Sequence, residues 1–224
     1  ALAEKLAPDE PPHPYAVKRP SLEQWYFDIF NNDNASLVCL KDTPIIEVTK
    51  TGITTSNKQH SLDIIAFATG FDAVTGGLTA MDFSGTNGES LKEKWAEGVR
   101  TYLGVATADF PNMLMSYGPQ APTGFCNGPS SAEYQGECIV KLMKFIKDKK
   151  HKKFEVLPEY EERWRTNILE LADKTLFPKA DSWYMGANIP GKKREMLMYP
   201  GGLPSYLEEF EKCANNSYEG FTFS

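Results

Sequence analysis

The chain carries one run of apolar positions with almost no polar interruption, Leu62-Asp63-Ile64-Ile65-Ala66-Phe67-Ala68, ended by Thr69-Gly70. A short continuous apolar run with β-branched residues, stopped by Gly, reads as a strand buried on both faces, the kind found in parallel sheets. Ligands bind at the carboxyl ends of such strands, where backbone can come close to a cofactor. The run by itself is equally any buried strand and turn. A second apolar run, Asn112–Tyr117, predicts a strand that leads into Gly118-Pro119. Shorter strands are expected at Ser36–Leu40, Ile45–Lys50 and Met196–Tyr199, with Gly52 and the polar run Thr54–His60 marking a hairpin turn.

Helical signals follow other rules. Ser21 and Gln24 fit a capping box before Trp25–Phe30 and predict a short helix there. Another short helix is expected at Leu91–Ala96. Ser130 and Glu133 form a second capping box, opening a helix to about Lys149 with Ile139, Leu142, Met143 and Ile146 as its buried stripe. Pro158 suits the first turn of the next helix, whose inward face would hold Trp164, Ile168, Leu171 and Thr175. Pro204 opens a last helix to about Lys212. Between these lie a Pro-rich lead-in over residues 1–20 and two Gly/Pro-rich loops, 118–129 and 180–204. Strands followed by a shaped loop and helices suit the α/β class.

Composition narrows the function. At 224 residues and 41% hydrophobic, the chain can build a sizeable core. Its net charge of −6 argues against nonspecific nucleic-acid binding, which needs a basic face. No apolar stretch approaches the roughly 20 residues of a membrane span. The start shows neither a signal peptide nor an initiator Met, which reads as a piece of a longer, cytoplasmic protein. Cys39, Cys126, Cys138 and Cys213 form no CxxC pair and read as free thiols of a reducing compartment, so the sequons at Asn34 and Asn215 read as chance matches. His13, His60 and His151 lack metal-ligand spacing, and no metal is expected. The segment Gly186–Lys193 nearly spells a phosphate loop. It fails because Lys193 replaces the Ser/Thr and Pro190 removes an N–H.

Four stretches together resemble the Baeyer–Villiger monooxygenases, flavin enzymes that insert oxygen beside a ketone carbonyl. They are Lys18-Arg19-Pro20 with Tyr26-Phe27-Asp28-Ile29-Phe30-Asn31-Asn32-Asp33-Asn34; Leu62-Asp63 through Ala68-Thr69-Gly70-Phe71-Asp72; Thr101-Tyr102-Leu103-Gly104 with Phe110-Pro111-Asn112 and Gly118-Pro119; and Ser182-Trp183-Tyr184-Met185-Gly186-Ala187-Asn188-Ile189-Pro190-Gly191-Lys192. The resemblance runs from about Lys18 to Tyr218-Glu219-Gly220-Phe221. Its flavour looks closer to the phenylacetone and steroid type than to the cyclohexanone type. Family members are more than twice this length, and their Gly-rich FAD and NADPH fingerprints have no GxGxxG counterpart here.

The resemblance therefore implies a partial two-dinucleotide-binding-domain flavoprotein fold. Residues 1–62 would end the NADP-binding domain, and 63–224 would be the C-terminal part of the FAD-binding domain with a helical segment. Arg19 would be catalytic, stabilising the flavin peroxide anion and the tetrahedral adduct formed with a ketone. Lys18 would hold the NADP 2′-phosphate, and Trp183, in a loop folding over NADP, would hydrogen-bond that cofactor. Thr69, Gly70, Phe71 and the helix start at Ser130 would face FAD. Ala121 and Phe125 would line the substrate pocket. The expected partners are a small-molecule ketone, O2 and the N-terminal half of the enzyme, required for activity. The rival readings are an N- or S-oxidising flavin monooxygenase, and a non-catalytic truncated remnant or interaction module. An isolated half-domain would leave apolar faces uncovered and dissolve poorly.

Overall fold

A buried coil, residues 98–121, is the structural centre of the larger part of the chain. It forms almost no regular structure, yet most of its residues are shielded from solvent. A buried peptide group without a hydrogen-bond partner is costly, so such a coil must be satisfied by its surroundings. Helices do much of that. The computed structural model describes residues 2–122 and 126–224. Its elements are α1 (Leu2–Leu6), β1 (Ile45–Thr49), β2 (Gly52–Thr55), β3 (Gln59–Ser61), α2 (Gly76–Thr79), α3 (Leu91–Lys94), α4 (Gly128–Asp148), β4 (Phe154–Val156), α5 (Pro158–Asp173), α6 (Leu203–Asn215) and β5 (Phe221–Phe223).

The chain divides into two compact units, residues 1–14 with 20–70, and residues 15–19 with 71–224. The first holds an antiparallel sheet in the order β1-β2-β3, with a bulge between Ile45 and Glu47. The second holds the antiparallel pair β4-β5, in which Phe154 faces Phe223. Its core gathers Leu103, Val105, Leu142, Ile168, Leu197, Tyr206 and Phe210. Mixed helix and sheet place the chain in the α/β class.

Several expectations meet the structure and change. The run Leu62–Ala68 forms no strand and lies open, with Ile64 84% and Phe67 74% exposed. A strand buried on both faces needs neighbours on both edges, and among the described residues the run's one backbone bond is at its start, from Leu62 N to Thr51 O at 2.9 Å. Residues 36–40 form no strand, and the polar run after Gly52 is itself β2 and β3. Asn112–Tyr117 is coil, because Asn112 and Tyr117 take left-handed φ values of 59° and 55° that break a pleat. Met196–Tyr199 is buried but forms no strand; it makes the isolated bridge Pro122–Tyr199, and Leu197 N donates to Tyr184 O at 2.9 Å. The expected helix after Ser21 is a 3₁₀ turn, Asp28–Asn31, without a side-chain cap.

The helices of the second half follow the sequence more closely. Helix α5 begins at Pro158 and buries Trp164 and Ile168, but also Glu161 and Ala172. Helix α3 is opened by a true capping box between Ser90 and Glu93. Helix α4 starts two residues before Ser130: Asn127 is its N-cap, accepting from the Ser130 N–H at 3.3 Å. Its buried face is Ser131, Gln135, Cys138 and Leu142, so Met143 turns outward.

Several of the coil's peptide groups find side-chain partners, some on these helices and some on the coil and the loop before α6. Glu161 accepts from Ala108 N at 2.8 Å, from Thr107 Oγ1 at 3.1 Å and from Lys94 Nζ at 2.9 Å. Gln120, 1% exposed, accepts from Thr101 N at 3.0 Å and donates to Val99 O at 2.9 Å. Glu195 accepts from Val99 N and Arg165 Nη2, each at 2.6 Å. Tyr206 Oη donates to Leu103 O at 2.7 Å. Gln135 accepts from Tyr117 N and donates to Tyr206 Oη at 2.9 Å.

Removing one member of a buried ion pair leaves the other charge stranded. Glu161→Ala is therefore expected to lower unfolding free energy by about 3–5 kcal/mol in a urea titration. A loss of ~1 kcal/mol or less, the size for an exposed pair, would contradict the role given to Glu161. Burial also pushes the Cys213 thiol up from 9.0 to about 11. The unfolded thiol ionises first as pH rises, so its contribution is complete below about pH 9 and lost towards pH 11. Cys213→Ser should flatten the decline in thermal midpoint across that window.

Candidate active site

Two residues far apart in sequence reach one concavity of about 340 Å³ in the second unit. Its lining includes Arg19, Tyr117, Ala121, Trp183 and Met198. The coil just described supplies Tyr117 and Ala121. Ala121 is held against Gly104, where an added Cβ would come within 2.5 Å of Ala121 N. Gly104 has φ 64°, so the close approach and the left-handed turn both require glycine there. The Ala121 carbonyl accepts from Tyr199 N at 2.9 Å, fixing the lining from the other side.

Arg19 is solvent-accessible and forms no ion pair among the described residues. Its guanidinium lies near two phenols. Burial raises the Tyr117 and Tyr184 hydroxyls above their ordinary value, and the Arg19 charge pulls both partly back. Both stay protonated at neutral pH, leaving Arg19 as the fixed positive charge in the concavity.

The Trp183 loop is shaped by local bonds. Trp183–Met185 is a single 3₁₀ turn ended by Gly186 at φ 67°. The Trp183 indole stacks on Tyr184 with ring centroids 3.9 Å apart. Asn188 Nδ2 donates to Phe71 O at 2.9 Å. Lys192 Nζ bonds Asp72 Oδ1 at 2.5 Å and Ala73 O at 3.1 Å. The near-phosphate-loop segment thus spends its lysine on Asp72, and no helix follows it.

The structure brings together Arg19, Ala121 and Trp183 among the expected site residues. Lys18 is exposed and precedes Arg19 in sequence, and Phe71, 88% exposed, accepts from Asn188 through its backbone carbonyl. Thr69 and Gly70 end the first unit, exposed, Gly70 at φ 93°. Ser130 is the third residue of α4 rather than its cap, so the free N–H end of that helix lies at Gly128. Phe125 lies outside the described residues. Sequence reasoning missed Tyr117, Tyr184 and Met198. Only the Gly118-Pro119 turn beside Tyr117 could have flagged a shaped wall.

No family model matches the sequence. Over 223 residues the chain is 53% identical to a cyclopentanone 1,2-monooxygenase of Comamonas sp., a match covering 100% of this chain and 40% of that protein. It is 42% identical over 222 residues to a cyclohexanone 1,2-monooxygenase of Acinetobacter sp., covering 99% of this chain and 40% of that one. The chain belongs to the Baeyer–Villiger monooxygenase family and corresponds to a C-terminal portion of its members. It spans about two-fifths of the length of the curated relatives it matches.

The fold agrees. A structure titled as OTEMO in complex with FAD and NADP superposes with a TM-score of 0.92 at 35% identity, covering all of this chain and 41% of that one. An oxidised steroid monooxygenase bound to NADP gives 0.88 at 35% identity, covering 99% and 41%. The cyclopentanone and cyclohexanone relatives, at 53% and 42% identity, correct the expected lean towards the steroid type. One relative is a phenazine N-monooxygenase of Lysobacter antibioticus, 41% identical over 220 residues, covering 98% of this chain and 40% of its own.

Gly104→Ala should move Ala121 and distort this wall. The expected result is a lowered unfolding midpoint and a changed emission maximum for Trp183, read against a Trp183→Phe background. An unchanged midpoint would mean that the coil yields easily at this contact.

Proposed function

We propose that this chain is the C-terminal portion of an FAD- and NADPH-dependent Baeyer–Villiger monooxygenase acting on a small ketone with O2 to give an ester or lactone. On this reading residues 1–62 end an NADP-binding domain and 63–224 belong to an FAD-binding domain. One observation carries it: Arg19 and Trp183 line the same concavity. The residues fit the cofactors in part. An unpaired guanidinium and an indole suit a nicotinamide nucleotide and developing negative charge. The open apolar run before Gly70 suits FAD only once neighbouring strands are supplied.

Bound FAD, reduced by NADPH, would supply the activated oxygen. Arg19 would stabilise the negative charge that develops as a ketone carbonyl is attacked. Lys18 would pair with the NADP 2′-phosphate as a compact point charge. Trp183 would close over NADP, with its loop anchored through Asn188 and Lys192 to residues 71–73. Thr69, Gly70, Phe71 and the α4 end near Ser130 would face the flavin. Ala121, Phe125 and Tyr117 would bound the ketone. The unpaired cysteines suit a reducing, cytoplasmic setting.

A second reading rests on the phenazine relative: nitrogen oxidation by the same scaffold. The test joins this chain to the N-terminal three-fifths of the Comamonas cyclopentanone enzyme and supplies FAD, NADPH and cyclopentanone. The expected product is a lactone. Arg19→Ala should reduce lactone formation by about 100-fold or more while flavin stays bound. N-oxide formation from phenazine without lactone would favour the second reading. Bound, NADPH-reducible flavin with no oxygenated product would favour a non-catalytic remnant.

A further inference from the structure

The end of α4 and the turn after it gather charge of the opposite sign to the rest of the chain. Residues 141–153 hold seven lysines and one aspartate, a local charge of +6 in a chain whose total is −6, so the other 211 residues carry −12. All seven lysines are exposed. Lys153 pairs with Glu155 at 2.8 Å, and the other six form no ion pair among the described residues. Helix electrostatics explain only part of this. A cation in the last turn complements the helix dipole, which favours Lys147. The effect fades within one turn, so it accounts for neither Lys141 nor Lys152.

The turn that carries the lysines is fixed. Lys150, at φ 60°, leads the chain out of the helix. Lys152 N and Lys153 N both donate to Ser224 O, at 2.6 and 2.8 Å, and Ser224 N donates back to Lys153 O at 2.9 Å. His151 stacks on Phe223 with ring centroids 5.2 Å apart and lies 6.4 Å from the Phe145 ring.

The chemistry of the patch selects its partner. Cores of protein interfaces rest on aromatic and arginine anchors and are poor in lysine, and this patch holds no arginine. Its rings are engaged with one another rather than offered to a nucleic-acid base for stacking. Ammonium groups on flexible stems suit a diffuse sheet of phosphate charge, which is read by number more than by geometry. Covering six unpaired ammonium groups with further protein would need carboxylates to match them, so the patch stays at the surface of a longer chain. The −12 on the remaining residues turns only this end towards a negative surface.

We propose that the Lys141–Lys153 patch is a docking surface for an anionic phospholipid bilayer, holding the protein reversibly on the membrane face through headgroup phosphates. Among the described residues no helix is long and apolar enough to cross that bilayer, so the contact is electrostatic and peripheral. The inference goes beyond the proposed function and does not depend on it.

The test measures co-sedimentation of the whole chain with vesicles of phosphatidylcholine carrying about 30% phosphatidylglycerol, and with phosphatidylcholine alone. In about 0.1 M NaCl the anionic vesicles should bind about tenfold or more tighter, and about 0.5 M NaCl should remove the difference. Lys149→Gln, Lys150→Gln and Lys152→Gln together should weaken anionic-vesicle binding by about tenfold or more. Lys50→Gln, Lys58→Gln and Lys174→Gln together change the net charge equally at exposed positions off the patch, and should weaken it by less than about threefold. The salt dependence of the unaltered chain tests the proposal without any variant. Equal binding to both kinds of vesicle, or equal losses in the two triple variants, would overturn the lipid surface. Capture of a single-stranded RNA oligonucleotide without vesicle binding would assign the patch to nucleic acid and overturn it too.

Discussion

Burial of an irregular backbone governs this structure. Residues 98–121 run through the interior of the second unit with almost no helix or strand of their own, so their peptide groups are satisfied partly by irregular backbone bonds, such as Met115 N to Val105 O at 2.7 Å and Asn112 N to Phe154 O at 3.1 Å, and partly by side chains. Glu161 of α5, Gln135 of α4, Tyr206 of α6 and Glu195 of the loop before α6 each reach into the coil. Gln120 turns back from the coil's own end to pair with Val99 and Thr101. Each is worth more for the orphan it removes than for the bond it adds, because the unpaired alternative is a desolvated donor or acceptor. The coil also holds Leu103, Asp109, Asn112, Tyr117 and Gln120 at positive φ, conformations that persist only where surroundings over-determine them.

The candidate site inherits its geometry from that arrangement. Tyr117 and Ala121 are the last residues of the coil, held through Gln135 and by contact with Gly104. The opposite wall comes from the Trp183 loop, which Leu197 ties to the same coil by accepting from Gln120 N at 2.8 Å. Arg19 arrives from the lead-in and meets both. Arg19 lines the concavity between them without an ion pair among the described residues, which leaves its charge available to act on developing negative charge.

What was legible in the sequence was local. Helix α5 announced itself through Pro158 and the spacing of Trp164 and Ile168, because propensity, capping and periodicity act within a few residues. The start of α4 slipped because Ser130 and Glu133 imitate a capping box that Asn127 pre-empts. The non-local part was hidden. Glu161, Glu195, Gln120 and Gln135 look like surface residues until the coil they serve is seen. The run Leu62–Ala68 misled for the opposite reason: its pattern is that of a central strand, and a strand is defined by neighbours. The family motifs pointed to Arg19 and Trp183 before any geometry did, while Tyr117 and Tyr184 emerged only from their closeness to Arg19.

The exposed run before Gly70 fits the proposed reading, on which the chain would hold part of a dinucleotide site and not its pyrophosphate cradle. The most direct measurement is the visible absorbance of the chain alone, incubated with FAD and stripped of free cofactor. The account predicts no retained flavin band. A retained band that NADPH bleaches would mean that these 224 residues build a cofactor site unaided, and would contradict it.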